Sequence, residues 1–190
     1  IYSMITILTN YRTGSTFYCD FMAEKNNYKS FQCPFDVSTL GMKQSLMNLQ
    51  LLGKDQKNVI KMMPDLFDKL PNTNLFDLII ENTSTLIYLI RKDYNAQLQS
   101  YVASHQASWW KPKDDEKMIL NPTYNKEEYN NYDTYLRQNY KKLARYYTQY
   151  PGTLVVLEDD LPYKPYSKEV VWDKTPPTIN FEPLLLFPKR

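Results

Sequence analysis

Short apolar runs alternate along this chain with longer stretches of helical spacing. Ile5 to Leu8, Val59 to Met63, Leu86 to Ile90 and Thr153 to Leu157 are almost entirely apolar or β-branched, the pattern of strands buried on both faces. The pattern predicts strands over 4–8, 58–63, 86–91 and 153–157, with helices over 15–25, 38–52, 64–70, 75–81, 93–108 and 126–149. Such alternation argues for a single α/β domain, a P-loop-type parallel sheet with helices on both faces. The longest helix carries Tyr129, Tyr132, Leu136, Tyr140, Leu143 and Tyr147 at helical spacing, which reads as a core-facing stripe. From Leu161 onward, prolines at 162, 165, 176, 177, 183 and 188 oppose regular structure. The α/β unit is therefore expected over 1–161, with 162–190 an irregular segment packed on it.

Chemistry enters where the first strand stops. Arg12, Thr13, Gly14, Ser15 and Thr16 join it to a helix, so backbone N–H groups and the positive end of the helix dipole meet at one spot. Arg12 adds a fixed charge and the hydroxyls add donors. The loop lacks the Lys of a Walker A motif, which implies a phosphate-like ligand held without the usual NTP and magnesium apparatus; no metal is expected. The third apolar strand ends in Arg91, Asp93 is a candidate N-cap for the helix after it, and Ser100 lies two turns on. Lys61 and Glu158 also fall at strand ends. Ligands of open parallel sheets sit at the carboxyl ends of the strands, which is where Arg12, Lys61, Arg91 and Glu158 are expected to converge.

The Arg12-Thr13-Gly14-Ser15-Thr16 loop resembles the 5′-phosphosulfate loop of sulfotransferases that use 3′-phosphoadenosine 5′-phosphosulfate (PAPS), in the form found in the bacterial trehalose-type enzymes. The stretch from Arg91 through Asp93, Asn95, Gln97 and Ser100 to Trp109-Trp110 is similar to a downstream signature of the same family. Val59-Ile60-Lys61 and Leu157-Glu158-Asp159-Asp160-Leu161 are weaker echoes, so that the likeness runs from about residue 4 to residue 161. The resemblance implies PAPS as sulfuryl donor, its desulfated form PAP as product, and a hydroxyl of a carbohydrate or other small molecule as acceptor. It also implies that the 12–16 loop holds the 5′ group, that Arg91 and Ser100 grip the 3′-phosphate, and that Lys61 lies by the reacting centre.

Sulfuryl transfer needs charge stabilisation and a base for the acceptor proton. Arg12 and Lys61 are the candidate catalytic cations. The base is expected at Asp36, in Cys33-Pro34-Phe35-Asp36, which the resemblance sets beside the family's Pro-x-Glu carboxylate. His105, the one histidine, falls on the apolar stripe of Tyr94, Leu98, Tyr101 and Val102 and reads as a core-facing position. Residues 111–125 form a loop long enough for a substrate lid. Two rival classes stay open: a non-catalytic nucleotide-binding protein, and a degenerate P-loop nucleotide or nucleoside kinase.

A net charge of +2 without a basic run argues against nucleic acid as partner. No apolar stretch nears the roughly 18 residues of a membrane span, and nothing at the N-terminus reads as a signal peptide. Two cysteines, Cys19 and Cys33, suit a reduced, cytoplasmic setting better than a disulfide framework. Cys19 is expected to pack as a small hydrophobe.

Overall fold

A computed structural model describes residues 3–34, 41–54, 57–63, 75–108, 118–161 and 168–188. In chain order the elements are β1 (Ser3–Thr9), α1 (Ser15–Asn26), β2 (Lys29–Gln32), α2 (Met42–Lys54), β3 (Lys57–Met62), α3 (Leu75–Glu81) and β4 (Thr83–Ile90). There follow α4 (Tyr94–Gln106), β5 (Met118–Leu120), α5 (Lys126–Gln149), β6 (Thr153–Val156), the single-turn α6 (Leu157–Asp160), β7 (Lys168–Val170) and a 3-10 turn over Pro183–Leu186. Five strands make one sheet in the order β2-β3-β1-β4-β6, and every neighbouring pair is parallel. The α/β class read from the apolar periodicity is the fold of the molecule.

Period-two alternation assigns the faces. Met4, Leu8, Ile60, Met62, Leu86, Tyr88 and Ile90 point to the side covered by α3, α4 and α5. Ile5, Ile7, Val59, Ile87 and Leu89 point to the side covered by α1, where Tyr18, Cys19 and Ala23 meet them. The tyrosine stripe of α5 packs inward: Tyr129, Leu136, Tyr140 and Leu143 are fully buried, and Tyr147 lies edge-on to Tyr88 at 5.1 Å between ring centres. Cys19 is fully buried and its thiol is pushed up to about 12, first by burial, so it is a packing group and not a nucleophile.

β1 and β4 are neighbours whose following helices, α1 and α4, lie on opposite faces of the sheet. Between two such strands the loops part and leave a crevice at their carboxyl ends. The order of strands thus fixes where a ligand can enter.

Several boundaries depart from the periodicity. β2 was not expected, because Lys29-Ser30-Phe31-Gln32 has no apolar run; it is an edge strand, half-exposed, made by backbone pairing with β3. β4 begins at Thr83, three residues before its apolar run, since Thr83 and Thr85 still pair with Met4 and Ile5. α2 starts after Gly41 and not at residue 38, and residues 38–40 lie outside those described, as does the helix expected over 64–70. Leu157 belongs to α6 and not to the strand before it. The proline-rich end is more ordered than expected: β5 and β7 form a small parallel pair, which also places a strand inside the expected 111–125 loop. Residues 111–117 of that loop lie outside the described set.

Candidate functional site

Each residue of the turn after β1 is held by a different element. The fully buried Asn10 donates to the Leu136 carbonyl of α5 at 2.8 Å, Tyr11 O accepts from Gln97 of α4 at 2.6 Å, and Arg12 O accepts from Arg91 at 3.3 Å. Tyr140 of α5 completes the support, donating to Gln97 Oε1 at 2.6 Å. Beneath it, Thr9 and Thr13 bond through their hydroxyls and Thr13 also donates to Asn10 O at 3.0 Å. Under this restraint Arg12 and Gly14 both take the left-handed conformation, with φ of 57° and 81°. A non-glycine residue held there marks a loop whose shape the surroundings impose.

Gly14 then starts α1, which has no capping side chain and no acid in its first turn. Its leading N–H groups and dipole face the crevice, the local chemistry of an anion site. By contrast α4 is capped by Asp93, whose carboxylate accepts from Ala96 N at 2.9 Å, as its sequence position predicts.

Around this loop the chain gathers the expected cations. Arg12 Nε donates to Ser100 Oγ at 3.0 Å, a contact spanning 88 residues. Arg91, at the end of β4, reaches the carbonyl of Arg12. Burial, and then the nearby Arg91, pull the Arg12 guanidinium down to about 10, so it stays protonated at neutral pH. Lys61 is buried at the end of β3 on the α1 face, and its Nζ donates to Thr16 Oγ1 at 3.0 Å. The loop therefore carries Arg12, Arg91 and Ser100 on its α4 side and Lys61 with Thr16 on its α1 side.

Glu158 was noted in the sequence only as a strand-end acid, and the structure gives it three contacts. Its carboxylate accepts from Lys92 N at 2.8 Å and Asp93 N at 3.2 Å, and lies 3.3 Å from Arg91 Nε. In the same turn Leu157 sits over Gly14, where an added Cβ would come within 2.7 Å of its methyl, and Asp160 accepts from Tyr18 of α1 at 3.0 Å. One turn of helix thus touches the loop, α1 and the β4–α4 junction. Gln97 and Tyr140, which orient the loop from beneath, were legible only as a position in the Arg91–Ser100 stretch and as a core-facing stripe residue, and their bonds to each other and to the loop arise from the packing of α4 on α5.

His105 is not brought to this centre. It stacks on Tyr132 and lies edge-on to Tyr101, both at 4.6 Å between ring centres, and burial holds its imidazole below the ordinary value. Asp36 lies outside the described residues, as do Trp109 and Trp110. Among the described residues no helix is long and apolar enough to cross a membrane.

No family model matches this chain, and no curated protein does. Solved structures with similarity include the crystal structure of an uncharacterized protein from Eubacterium ventriosum, 9% identical, with a TM-score of 0.38 over 90% of this chain and 89% of that one. A likeness that distant assigns neither fold nor function.

Proposed function

We propose that this chain is a PAPS-dependent sulfotransferase that moves a sulfuryl group to a hydroxyl of a carbohydrate or other small acceptor. One observation carries the reading: a helix-opening loop has Arg12, Arg91 and Ser100 on one flank and Lys61 with Thr16 on the other. Two cationic groups on opposite sides of one loop suit a donor with two separate anionic ends, as PAPS has in its 3′-phosphate and 5′-phosphosulfate.

In the reaction the acceptor oxygen attacks sulfur, the bond from sulfur to the bridging phosphate oxygen breaks, and PAP leaves with the bond's electron pair. The loop N–H groups of residues 14–16 and the Lys61 ammonium stabilise charge on the transferring group and the leaving phosphate. The acceptor proton goes to a base, for which Asp36 is the proposed residue. His105 is less suited, since its ring is engaged between Tyr101 and Tyr132. A cytoplasmic setting goes with this reading.

Transfer of label from 35S-PAPS to a panel of glycans and small alcohols tests the proposal. Turnover that falls at least a hundredfold in Asp36→Asn, with PAP affinity nearly unchanged, is the expected result. Binding of PAP with no transfer to any acceptor would instead describe a non-catalytic nucleotide-binding protein, and ATP bound in preference to PAP would favour a kinase.

A further inference from the structure

We infer that the flank of α5 facing the loop is a binding groove for an uncharged glycan of more than one ring. Asn139 stands at its foot, the rings of Tyr11, Tyr132 and Tyr135 form its wall, and a polar recess is its mouth. The groove rests on the sulfotransferase reading only in the role given to that glycan, which is the acceptor.

α4 and α5 run antiparallel past the carboxyl end of β4. Tyr140 meets Gln97 and the backbone of Arg91 there, Tyr132 meets Tyr101 further out, and Glu128 meets Gln106 beyond both. Glu128, Tyr132, Tyr135 and Asn139 follow at intervals of four, three and four residues, so they share one flank of the helix. That flank faces the loop, since Tyr11, next to Arg12, lies 5.9 Å from Tyr135 and 5.4 Å from Tyr101 between ring centres. At its outer end a recess of about 520 Å³ is lined by Asn125, Glu127, Glu128, Asn131 and Tyr132. From Glu128 to Asn139 the flank runs about 16 Å at the helical rise of about 1.5 Å per residue, longer than a single sugar ring.

Asn139 is the residue that asks for a ligand. It is 1% exposed, and neither its Oδ1 nor its Nδ2 has a hydrogen-bond partner. A buried amide left unpaired destabilises the folded chain, and Asn10 nearby shows the contrast, with both amide atoms engaged. An asparagine offers one acceptor and two donors, which match sugar hydroxyls that each donate and accept. The half-buried rings of Tyr11, Tyr132 and Tyr135 add flat apolar faces for the C–H side of a pyranose. Among the described residues the recess is lined by two carboxylates, two amides and a phenol, with no cation. Such a mouth repels acidic sugars and passes uncharged ones. A glycan lying along the flank brings its inner end beside Tyr11, one residue from the anion loop.

An array of neutral and uronic-acid oligosaccharides, followed by calorimetry with the neutral glycan bound best, tests the groove on the full chain. Uncharged glycans of two or more rings should bind, and their uronic-acid counterparts should bind about tenfold more weakly or worse. Asn139→Leu, close in volume and without polar atoms, should lose about tenfold or more in glycan affinity. It should also melt at or above the parent temperature, because it removes the unpaired amide. Tyr132→Ala, at a half-buried position, should weaken the glycan several-fold and carries the test if the leucine variant does not fold. No neutral glycan bound, acidic glycans bound as tightly, or glycan affinity unchanged in these variants would each overturn the groove. Transfer from 35S-PAPS separates the two readings. A glycan bound through Asn139 yet never sulfated would keep the groove and remove the sulfotransferase reading, whereas an acceptor sulfated with a KM that Asn139→Leu leaves unchanged would do the reverse.

Discussion

Gly14 shows how tightly single positions are specified at the site. Its φ of 81° lies where a side chain costs about 1–2 kcal/mol, and a Cβ there would meet the end of the Leu157 side chain. Because that methyl is mobile, backbone strain is the larger cost. Gly14→Ala is expected to lose about 1–2 kcal/mol in urea unfolding and to weaken anion binding through the displaced start of α1. His105 makes the opposite kind of position, a group kept for packing. Its folded proton affinity lies below the ordinary value, with burial the main cause, so the unfolded chain binds the proton more readily. Stability is therefore fully present above about pH 6.5 and declines as pH falls from there toward the lowered folded value. His105→Gln should flatten that slope in thermal melts between pH 5 and 7, while leaving turnover of any sulfuryl transfer near the parent level; a dead but folded His105→Gln would make the histidine the base.

Among elements, the single turn α6 does more than its length suggests. Glu158 takes two backbone N–H groups at the start of α4 and stands against Arg91, and at this exposed position losing the acceptor costs about 0.5–1.5 kcal/mol. Glu158→Ala is expected to destabilise by that order in urea. Glu158→Gln, which keeps an acceptor oxygen, should lose less than half as much; equal losses would mean that the charge on Arg91, and not the capping of Lys92 and Asp93, is what matters. β1, β3 and β4 were legible because burial on both faces leaves no polar alternation to blur them, and β6, a half-buried edge strand, because its run is apolar as well. β2 and the β5–β7 pair were not, since their pairing comes from backbone groups of a neighbour already in place.

For the molecule as a whole, the proline-rich end is a strap over α4 and α5. Asn95 of α4 bonds both backbone groups of Ile179, at 3.1 and 2.8 Å, and Phe181 lies edge-on to Tyr94 at 4.6 Å under the Arg137 guanidinium at 4.5 Å. Trp172 and Phe187 rest on Tyr129 and Tyr147. Phe181→Ala should lower stability by about 1–3 kcal/mol, the value of a largely buried aromatic ring, as read by urea unfolding; a loss under about 0.5 kcal/mol would show the strap to be a surface addition.

Local pattern alone determined the α/β class, the anion-suited loop after β1, the Asp93 cap and the cations at the strand ends. Each of these follows from spacing within a dozen residues, where periodicity and turn chemistry act directly. What tertiary structure decided is which of those groups meet. Arg12 finds Ser100 across 88 residues, and Lys61 finds Thr16 across 45, because the β2-β3-β1-β4-β6 order puts α1 and α4 on opposite faces beside one loop. Strand order depends on long-range backbone pairing and on the closing of two apolar cores, and neither leaves a mark in the spacing of nearby residues.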